Sequence, residues 1–460
     1  MRLAAILKGT MLFGALTWGA ALSQQAGLPG CLPFAVATAW AGDAPRAEQD
    51  AFVKQLQSEA PAPAPRLSAG GRAAAKPAMA GPGAAPMADK SGATQAASFE
   101  FSDGNVDGSL GTVSMRKANR AAAEILSRRM AEERPDDLKL IRDAVGADVV
   151  VVSGVYDRVQ DVLRAVQIKH VVIRPDLLDR LNLLSTQTLM VNCPGELSEK
   201  AIKKVRDFVD RGGYLVTTDW ALTIVARAFP GTIEHNGKRT PNDVVAVHVH
   251  DDNEPLLRHV KVMRDHPRWW LEGSSFPIRI RDPKNVRVLM SSEEMGKRYG
   301  DSAVVVAFQH GQGKVLHMTS HFFLQQSKLV AESEKKAGRE FAKTAGMSAQ
   351  QVDAMRKDGV DLDDVKAGEI NAAYSMQQVS ANLLVEKQAA NRQLLQKHYR
   401  ARVVSPDVGL SETATAPAGD KAPRVRKDYR VQVLEKRAGQ ARIRDLFGNE
   451  GWVPEQALAY

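Results

Sequence analysis

Three side chains in the middle of this 460-residue chain, Asp219, His321 and Cys193, could take part in acid–base or nucleophilic chemistry. A carboxylate beside an imidazole can transfer protons as a general acid–base pair, and a cysteine becomes a nucleophile when a base activates it. Each residue follows or ends an apolar run of strand type, YLVTT, KVLHMTS or TLMVNC. For Asp219 and His321 the alternatives are catalysis in an open cleft and a polar pair that only satisfies its own hydrogen bonds. For Cys193 they are a nucleophile and a small buried residue. We favour the second interpretation in both cases.

The elements around these residues indicate that they share one edge of a sheet. Strands of buried type alternate with helical patterns, which predicts an α/β fold with a doubly wound parallel sheet. Ser198 is a good helix N-cap, and Gly212 ends the same helix before the next strand. Open α/β sheets bind ligands at the carboxyl ends of their strands, where Asp219 and His321 would lie. The predicted strands of this series are residues 148–154, 170–175, 188–193 and 214–218.

Three further segments differ in pattern from that series. Residues 98–145 predict a helical lead-in to the α/β domain, and residues 244–323 are β-rich. Residues 324–399 are helical and charged. Their apolar positions, which include Val379 and Leu383, predict a helix that packs on the body of the protein or on a partner.

The N-terminal residues 1–41 have the pattern of an export signal, because basic residues precede an apolar stretch that is short for a membrane span. Small residues allow cleavage after Ser23 or after Ala41, and we prefer the second site. An uncleaved membrane tether and a weak lipoprotein signal at Cys31 are the alternatives. Residues 42–97 are rich in Ala, Pro, Gly and Ser, and this composition predicts a disordered linker.

Three short motifs within residues 146–323 resemble the class I glutamine amidotransferase-like superfamily. They are the loop Asn192-Cys193-Pro194-Gly195, the turn Thr217-Thr218-Asp219-Trp220-Ala221 and the segment Thr319-Ser320-His321-Phe322-Phe323. The resemblance implies a flavodoxin-like sheet in which the first motif is the oxyanion loop and the second is the nucleophile elbow. Asp219 stands where the family has its cysteine, and Phe323 stands where the carboxylate partner of His321 belongs. Because a carboxylate is a poor acyl acceptor, the resemblance implies that glutaminase activity has been lost.

Residues 400–460 resemble a bacterial Src-homology-3-like (SH3-like) domain, which is a small all-β barrel. The resemblance is carried by two alternating strands at 429–434 and 441–446, by Gly448-Asn449-Glu450-Gly451-Trp452-Val453 and by Leu458. That family commonly binds wall peptides or protein ligands. The resemblance therefore implies a cell-wall peptide or an envelope protein as partner, with Trp452 as a binding residue.

The composition bounds the kinds of site and partner. The formal charge of +9 suits an anionic partner, but Lys and Arg are spread along the chain, which favours a solvated basic surface. Cleavage after Ala41 would leave Cys193 as the one cysteine of the mature chain, so we expect no disulfide within it. No phosphate-binding or dinucleotide-binding fingerprint occurs in the sequence, and we expect no cofactor and no nucleic-acid partner. His248 and His250 could be metal ligands on one face of a strand, but an exposed sheet face is favoured and no metal site is expected.

These patterns together predict an exported periplasmic or cell-envelope protein without catalytic activity. Its α/β domain would bind or scaffold, and its C-terminal domain would contact the wall or a protein. The alternatives are a hydrolase of an amide or glycan that uses Asp219 and His321, and an assembly scaffold that exposes an apolar stripe in residues 324–399. A solvent-open pair in a deep pocket would favour the hydrolase, whereas a cleft filled by Trp220 and Phe323 would count against it. The expected binding residues are Asn192, Gly195, Asp219, Trp220, His321 and Trp452.

Overall fold

The computed structural model of the chain describes residues 46–59, 113–143, 146–251 and 253–460. The expected export signal, residues 1–41, lies outside these residues. Within the described ranges, no helix combines the length and the apolar character that crossing a membrane requires. The described α-helices are Arg46–Glu59 (α1), Val113–Glu133 (α2), Pro135–Asp143 (α3), Val159–Ala165 (α4), Glu199–Asp210 (α5), Leu222–Ala228 (α6), Glu293–Tyr299 (α7), Gly338–Thr344 (α8), Ala349–Lys357 (α9) and Ala367–Lys397 (α10).

The strands fall into one large central sheet, one C-terminal sheet and three two-stranded pairs in the part of the chain that the structure describes. The described strands are Val149–Val152 (β1), Val171–Ile173 (β2), Thr188–Val191 (β3), Tyr214–Thr218 (β4), Ile233–His235 (β5), Asp243–Ala246 (β6), His248–Val249 (β7), Arg268–Leu271 (β8), Ile278–Ile280 (β9), Arg287–Ser291 (β10), Ala303–His310 (β11), Gly313–Met318 (β12), Ala401–Val403 (β13), Asp407–Gly409 (β14), Arg424–Arg426 (β15), Arg430–Arg437 (β16), Gln440–Asp445 (β17), Glu450–Pro454 (β18) and Leu458–Ala459 (β19).

The central sheet is mixed, and its strand order is β2–β1–β3–β4–β12–β11–β10–β7. The first five strands are parallel, as the alternation of strands and helices predicts. Beyond β12 the sheet is antiparallel, because β11, β10 and β7 pair antiparallel with their neighbours, so the parallel order expected for the strand–helix series holds for the first five strands only. The physical reason is the two-residue connection between β11 and β12, which contains Gly311 at φ +56°. Such a short turn can join only antiparallel strands.

Helices cover both faces of this sheet, so the body is a three-layer α/β structure. Successive strand residues point to opposite faces. Accordingly Val150 and Leu215 pack with α5 and α6, whereas Val151 and Val216 pack with α2, α4 and α10. Helix α5 begins where the sequence predicts, because the Ser198 side chain accepts a hydrogen bond from the Ala201 amide at 3.0 Å.

Helix α10 is an interior element of the body. Its apolar positions Val379 and Leu383 are buried in the same core as α2 and the sheet, which confirms the prediction that this helix packs on the body. Polar side chains on α10 donate to main-chain carbonyls: Lys387 Nζ lies 2.9 Å from Ser185 O and 2.7 Å from Gly212 O. Because these positions of α10 are buried, the helix offers little of the exposed apolar stripe that an assembly scaffold would need.

Helix α1 corrects the expectation that residues 42–97 form a disordered linker throughout. Phe52 and Leu56 stand one helical turn apart and are buried in the core on the α5 side of the sheet. On another side of α1, Ala47 and Ala51 pack against the core of the C-terminal sheet. The Ala- and Pro-rich composition conceals this helix because the apolar pair is diluted by small residues.

The C-terminal sheet has five antiparallel strands in the order β18–β17–β16–β13–β19. Strands β16 and β17 coincide with the two alternating runs of the sequence. The pair β14–β15 forms a separate ribbon. Leu446 at the end of β17 is buried in the core of the α/β body, so the C-terminal sheet docks directly on the body.

Candidate functional site

The carboxyl ends of three adjacent parallel strands bring together the three residues that the sequence singles out. Strand β4 lies between β3 and β12, with Thr218 beside Met318 and Thr217 beside Val191. Residues that directly follow these strands must therefore meet at one edge of the sheet. Cys193 follows β3, Asp219 follows β4 and His321 follows β12, and their ligand-type atoms lie within 4.8 Å of one another.

Asp219 occupies a sharp turn between β4 and the following helix. Its φ of +45° is in the left-handed region, which a non-glycine residue adopts at a cost on the order of 1 kcal/mol. Its carboxylate is fully buried, and Oδ1 accepts a hydrogen bond from the Phe276 amide at 3.0 Å. The turn therefore has the backbone strain of a nucleophile elbow while it holds a carboxylate.

His321 lies between two carboxylates. Its Nε2 is 3.3 Å from Asp219 Oδ2, and its Nδ1 is 3.3 Å from Glu272 Oε2. Neither ring nitrogen has an aligned hydrogen-bond partner among the described residues. The Cys193 Sγ lies 3.6 Å from the same Asp219 Oδ2. The arrangement is thus a short chain of ionisable groups that runs from sulfur through carboxylate and imidazole to a second carboxylate.

Sequence reasoning missed two of the acidic residues at this site. Glu272 follows β8, a strand outside the central sheet, and the sequence attracts attention there only to Trp269 and Trp270, which are buried. Asp157 follows β1 and accepts hydrogen bonds from the amides of Phe322 and Phe323 at 3.1 and 3.3 Å, which fixes the segment that carries His321. The position of Asp157 after a predicted parallel strand was a usable signal. Glu272 gave no local signal.

Burial and charge set opposite tendencies at His321. Burial lowers the pKa of the imidazole, but Asp219, Asp157 and Glu272 together outweigh it, so the His321 pKa lies above its usual value. Burial and the charge of Asp219 raise the pKa of the Cys193 thiol well above its usual value. A thiol with a raised pKa is a poor nucleophile, which agrees with the expectation that Cys193 is a buried residue.

Several aromatic side chains pack near Asp219 and His321. Trp220 is partly buried, stacks on Phe276 with ring centroids 5.7 Å apart, and meets Tyr156 edge to face at 5.5 Å. Its Nε1 donates to the Ser274 carbonyl. The Trp270 ring meets the His321 ring edge to face, with centroids 5.6 Å apart. Phe323 is 3% exposed and packs in the core on the α2 side of the sheet.

The loop that corresponds to the expected oxyanion loop is tightly packed. Asn192 Oδ1 accepts from the Val159 amide and Nδ2 donates to Gln160, each at 3.0 Å. Gly195 has φ +71°, and a Cβ there would lie 2.5 Å from the Ala221 Cβ. Asn192 and Gly195 therefore position the loop against the elbow, and the side chain of Asn192 is already engaged.

Trp452 lies in another part of the molecule, in β18 of the C-terminal sheet, and only 9% of it is exposed. The structure thus separates Trp452 from the other expected binding residues. A polar cavity of ≈ 180 Å³ opens where the C-terminal sheet meets the body. Its charged and amide residues are Asn182, Lys204, Asp207, Arg211 and Asn449.

Arg211 places a mostly buried guanidinium beside this cavity. Burial lowers the pKa of its guanidinium, and its Nε has no hydrogen-bond partner among the described residues. Gly448, at φ +86°, makes room for it, since a Cβ there would lie 2.5 Å from Arg211 Cζ. A mostly buried guanidinium beside a polar cavity can accept an anionic group.

The two histidines that the sequence offers as metal ligands lie on edge strand β7 or directly after it, and both are exposed. His250 Nε2 is 2.8 Å from Ser291 Oγ. The rings of His248 and His250 are 5.1 Å apart. These positions confirm the interpretation of an exposed sheet face.

Comparisons with known proteins give no family assignment. No protein-family model matches the sequence, and no curated protein matches it. Among solved structures, a glutamine amidotransferase from Thermotoga maritima has TM-score 0.27 and 10% identity, over 54% of this chain and 98% of that chain. A protein from Thermoplasma acidophilum described as part of a GMP synthase has TM-score 0.29 and 13% identity, over 46% of this chain and 96% of that chain.

An exo-β-1,4-mannosidase from Opitutaceae bacterium strain TAV5 has TM-score 0.26 and 13% identity, over 38% of this chain. The match spans only 31% of the length of that glycosidase. At TM-scores this low, none of these likenesses carries an argument about activity.

Proposed function

We propose that this chain is an exported cell-envelope protein that binds a partner and does not catalyse a reaction. Its amidotransferase-like α/β domain serves as the scaffold, and its C-terminal SH3-like domain makes the wall or protein contact. The observation that carries the proposal is the burial of Asp219 and His321, at 0% and 1% exposure. A substrate amide or glycan could therefore contact neither group unless the residues packed around them moved.

The cavity at the seam between the body and the C-terminal domain is the contact point that this proposal favours. Stem peptides of bacterial walls carry carboxylates, and a guanidinium recognises a carboxylate with two parallel hydrogen bonds. Arg211 and Asn449 lie on opposite elements of the cavity, so a ligand there would touch both the body and the C-terminal domain. Trp452 supports the sheet that carries Asn449, which is consistent with an indirect part in binding.

The experiment is co-sedimentation of the purified full chain with isolated wall sacculi. We expect Arg211→Gln to weaken retention about tenfold, because a charge-assisted hydrogen-bonded pair contributes about 1.5 kcal/mol. The matched control is Arg206→Gln on the exposed face of α5, the helix that Arg211 directly follows, which removes the same charge and should change retention little. Equal losses in both variants would indicate nonspecific charge attraction, and absence of retention in the wild type would contradict the proposal.

A second candidate function is a hydrolase in which Asp219 is the nucleophile, His321 the base and Glu272 the residue that orients the base. The observation in its favour is the φ of +45° at Asp219, since strained turns of this kind expose nucleophiles in α/β hydrolases. The same preparation tests this candidate. Release of sugar or peptide from the sacculi by the wild type, with no release by Asp219→Asn, would establish it. Release that is absent, or equal in the variant, supports the binding function.

A further inference from the structure

We propose that Cys193, Asp219 and His321 bind one divalent transition-metal ion, of which Zn²⁺ is the best match. This inference does not depend on wall binding, because it concerns the buried carboxyl ends of the central strands and not the cavity that Arg211 and Asn449 line. It goes against the expectation from sequence that the chain has no metal site. That expectation rested on the exposed pair His248 and His250 and on the scarcity of cysteines.

The spacing of the donor atoms fits a tetrahedral ion. With Zn–N and Zn–O bonds of about 2.0 Å and a Zn–S bond of about 2.3 Å, tetrahedral angles place N and O about 3.3 Å apart and S and O about 3.5 Å apart. The structure has 3.3 Å between His321 Nε2 and Asp219 Oδ2, and 3.6 Å between Cys193 Sγ and the same oxygen. All three donors lie within 4.8 Å of one another, so one ion could reach them together.

The three donor side chains also make few well-aligned hydrogen bonds with one another. His321 Nε2 is fully buried and has no aligned hydrogen-bond partner among the described residues, although Asp219 Oδ2 is near. An unmade hydrogen bond of a buried group costs about 1–3 kcal/mol, which an ion bonded to Nε2 would remove. The two residues therefore form a contact at 3.3 Å that is also the spacing of two ligands of one ion.

Charge at the site favours a cation. Three carboxyl groups, those of Asp157, Asp219 and Glu272, lie around the site, with the single imidazole of His321 among them. Buried carboxylates are costly unless they are paired or bound to a metal. A divalent ion at the three donors would offset the remaining negative charge.

The surroundings have the second layer of contacts that a metal-binding histidine needs. Glu272 Oε2 lies 3.3 Å from His321 Nδ1, which leaves Nε2 for the ion and gives a carboxylate–histidine–metal arrangement. The other oxygen of Asp219 is fixed by the Phe276 amide. The amide of Cys193 donates to Thr218 Oγ1 at 3.2 Å. Each ligand is thus held by a contact that does not use its metal-binding atom.

The donor set selects the class of ion. Sulfur, imidazole and carboxylate together suit Zn²⁺, whereas Mg²⁺ and Ca²⁺ prefer oxygen ligands alone. Three protein ligands leave one tetrahedral position for water or a small ligand. The Glu272 side chain is 19% exposed, although its Oε2 atom beside His321 is buried.

The test begins with the full chain, purified without an affinity tag and stripped with a chelator. We expect competition with a chromophoric chelator to show one Zn²⁺ per chain, and Co²⁺ substitution to give a thiolate-to-cobalt charge-transfer band. Cys193→Ser should abolish that band and weaken Zn²⁺ binding by at least about 100-fold. Glu272→Gln, which alters a positioning residue, should weaken it by about 10- to 100-fold and keep the band.

The control is the double variant His248→Gln and His250→Gln, which removes the exposed histidines and should leave affinity and band unchanged. Circular dichroism of each stripped variant verifies that it is folded. The measurement on the wild type can overturn the proposal by itself. A cobalt complex without a thiolate-to-cobalt band would exclude Cys193 as a ligand. Zinc binding that is unchanged in Cys193→Ser, or lost in the exposed double variant, would overturn it as well.

Discussion

At the scale of single residues, Asp219 combines roles that other proteins divide among several side chains. Its backbone takes the strained conformation of an elbow, one carboxylate oxygen accepts from Phe276, and the other faces both Cys193 and His321. The turn thus combines the backbone conformation of an elbow with a carboxylate side chain. A carboxylate between sulfur and imidazole is better suited to a cation than to an acyl group.

The residues at this site differ in how far the sequence could predict them. Asp219, His321 and Cys193 follow strands of one parallel series, and parallel strands end at a common edge, so their proximity could be predicted. Glu272 belongs to a different pair of strands, β6–β8, and reaches His321 only because that pair folds over the edge. No local pattern encodes such a contact.

Another histidine permits a prediction about pH. His317 is fully buried in β12, its Nδ1 lies 2.8 Å from Thr217 Oγ1, and burial lowers its pKa from 6.5 to about 3. Between these two values the unfolded chain takes up a proton that the native state does not. The unfolding free energy should therefore fall as pH falls from 6.5 towards 3, by about 3 kcal/mol at pH 4 from this residue alone.

Denaturant unfolding at pH 6.5 and pH 4 measures this effect for the wild type and for His317→Asn. The asparagine does not titrate, so the variant should lose less stability between the two pH values. An equal loss in both proteins would mean that other groups cause the acid sensitivity.

At the scale of elements, helix α1 packs against both the α/β body and the C-terminal sheet. Glu48 on this helix is fully buried, and a hydrogen bond from the Arg430 main chain and the charges of Arg430 and Arg402 offset only part of that burial. Burial and the nearby charge of Asp445 raise the Glu48 pKa well above its usual value. Asp445 itself has its pKa raised by burial to about 6. Helix α1 thus brings the carboxyl group of Glu48 close to that of Asp445 in a buried position.

We predict that Glu48→Gln stabilises the protein at neutral pH. Because the folded pKa of Glu48 is raised, its contribution to stability is complete below pH 4.5 and is lost as pH rises through the folded value. Glutamine has no charge to bury, so the gain at pH 7.5 should be at least about 1 kcal/mol and should vanish near pH 4.

Thermal unfolding at the two pH values measures the gain. Asp50→Asn, on the exposed face of the same helix, is the matched control and should change little. A Glu48→Gln variant that is less stable than the wild type at pH 7.5 would show that the carboxylate is stabilised by a charge partner.

At the scale of the whole molecule, α10 unites parts that the sequence presents as separate regions. Lys387 bonds to main-chain oxygens of Ser185 and Gly212, one before β3 and one before β4. Burial lowers the pKa of Lys387 to about 7, and its ammonium lies 4.8 Å from the Tyr214 ring centroid. The core on this face runs without interruption from α2 through α10 to the sheet.

We therefore predict that α10 and the central sheet unfold as one cooperative unit. Native-state hydrogen exchange should give the slowest amides of α10 and of β3 and β4 the same opening free energy. Lys387→Met removes the donor of two buried carbonyls and should lower both values together, by about 2 kcal/mol. A lower opening free energy for α10 alone would indicate a separate helical domain.

The sequence by itself determined the parallel strands, the N-cap at Ser198, the interior face of α10, and the meeting of Asp219 with His321 and Cys193. These features follow from local hydrophobic period and from the rule that parallel strands share an edge. Only the tertiary structure decided that β10 and β7 extend the same sheet, that α1 is folded and that Glu272 completes the cluster. The reason is physical: burial, alignment and net charge at a site depend on elements far apart in the chain, and no short run of residues records their approach.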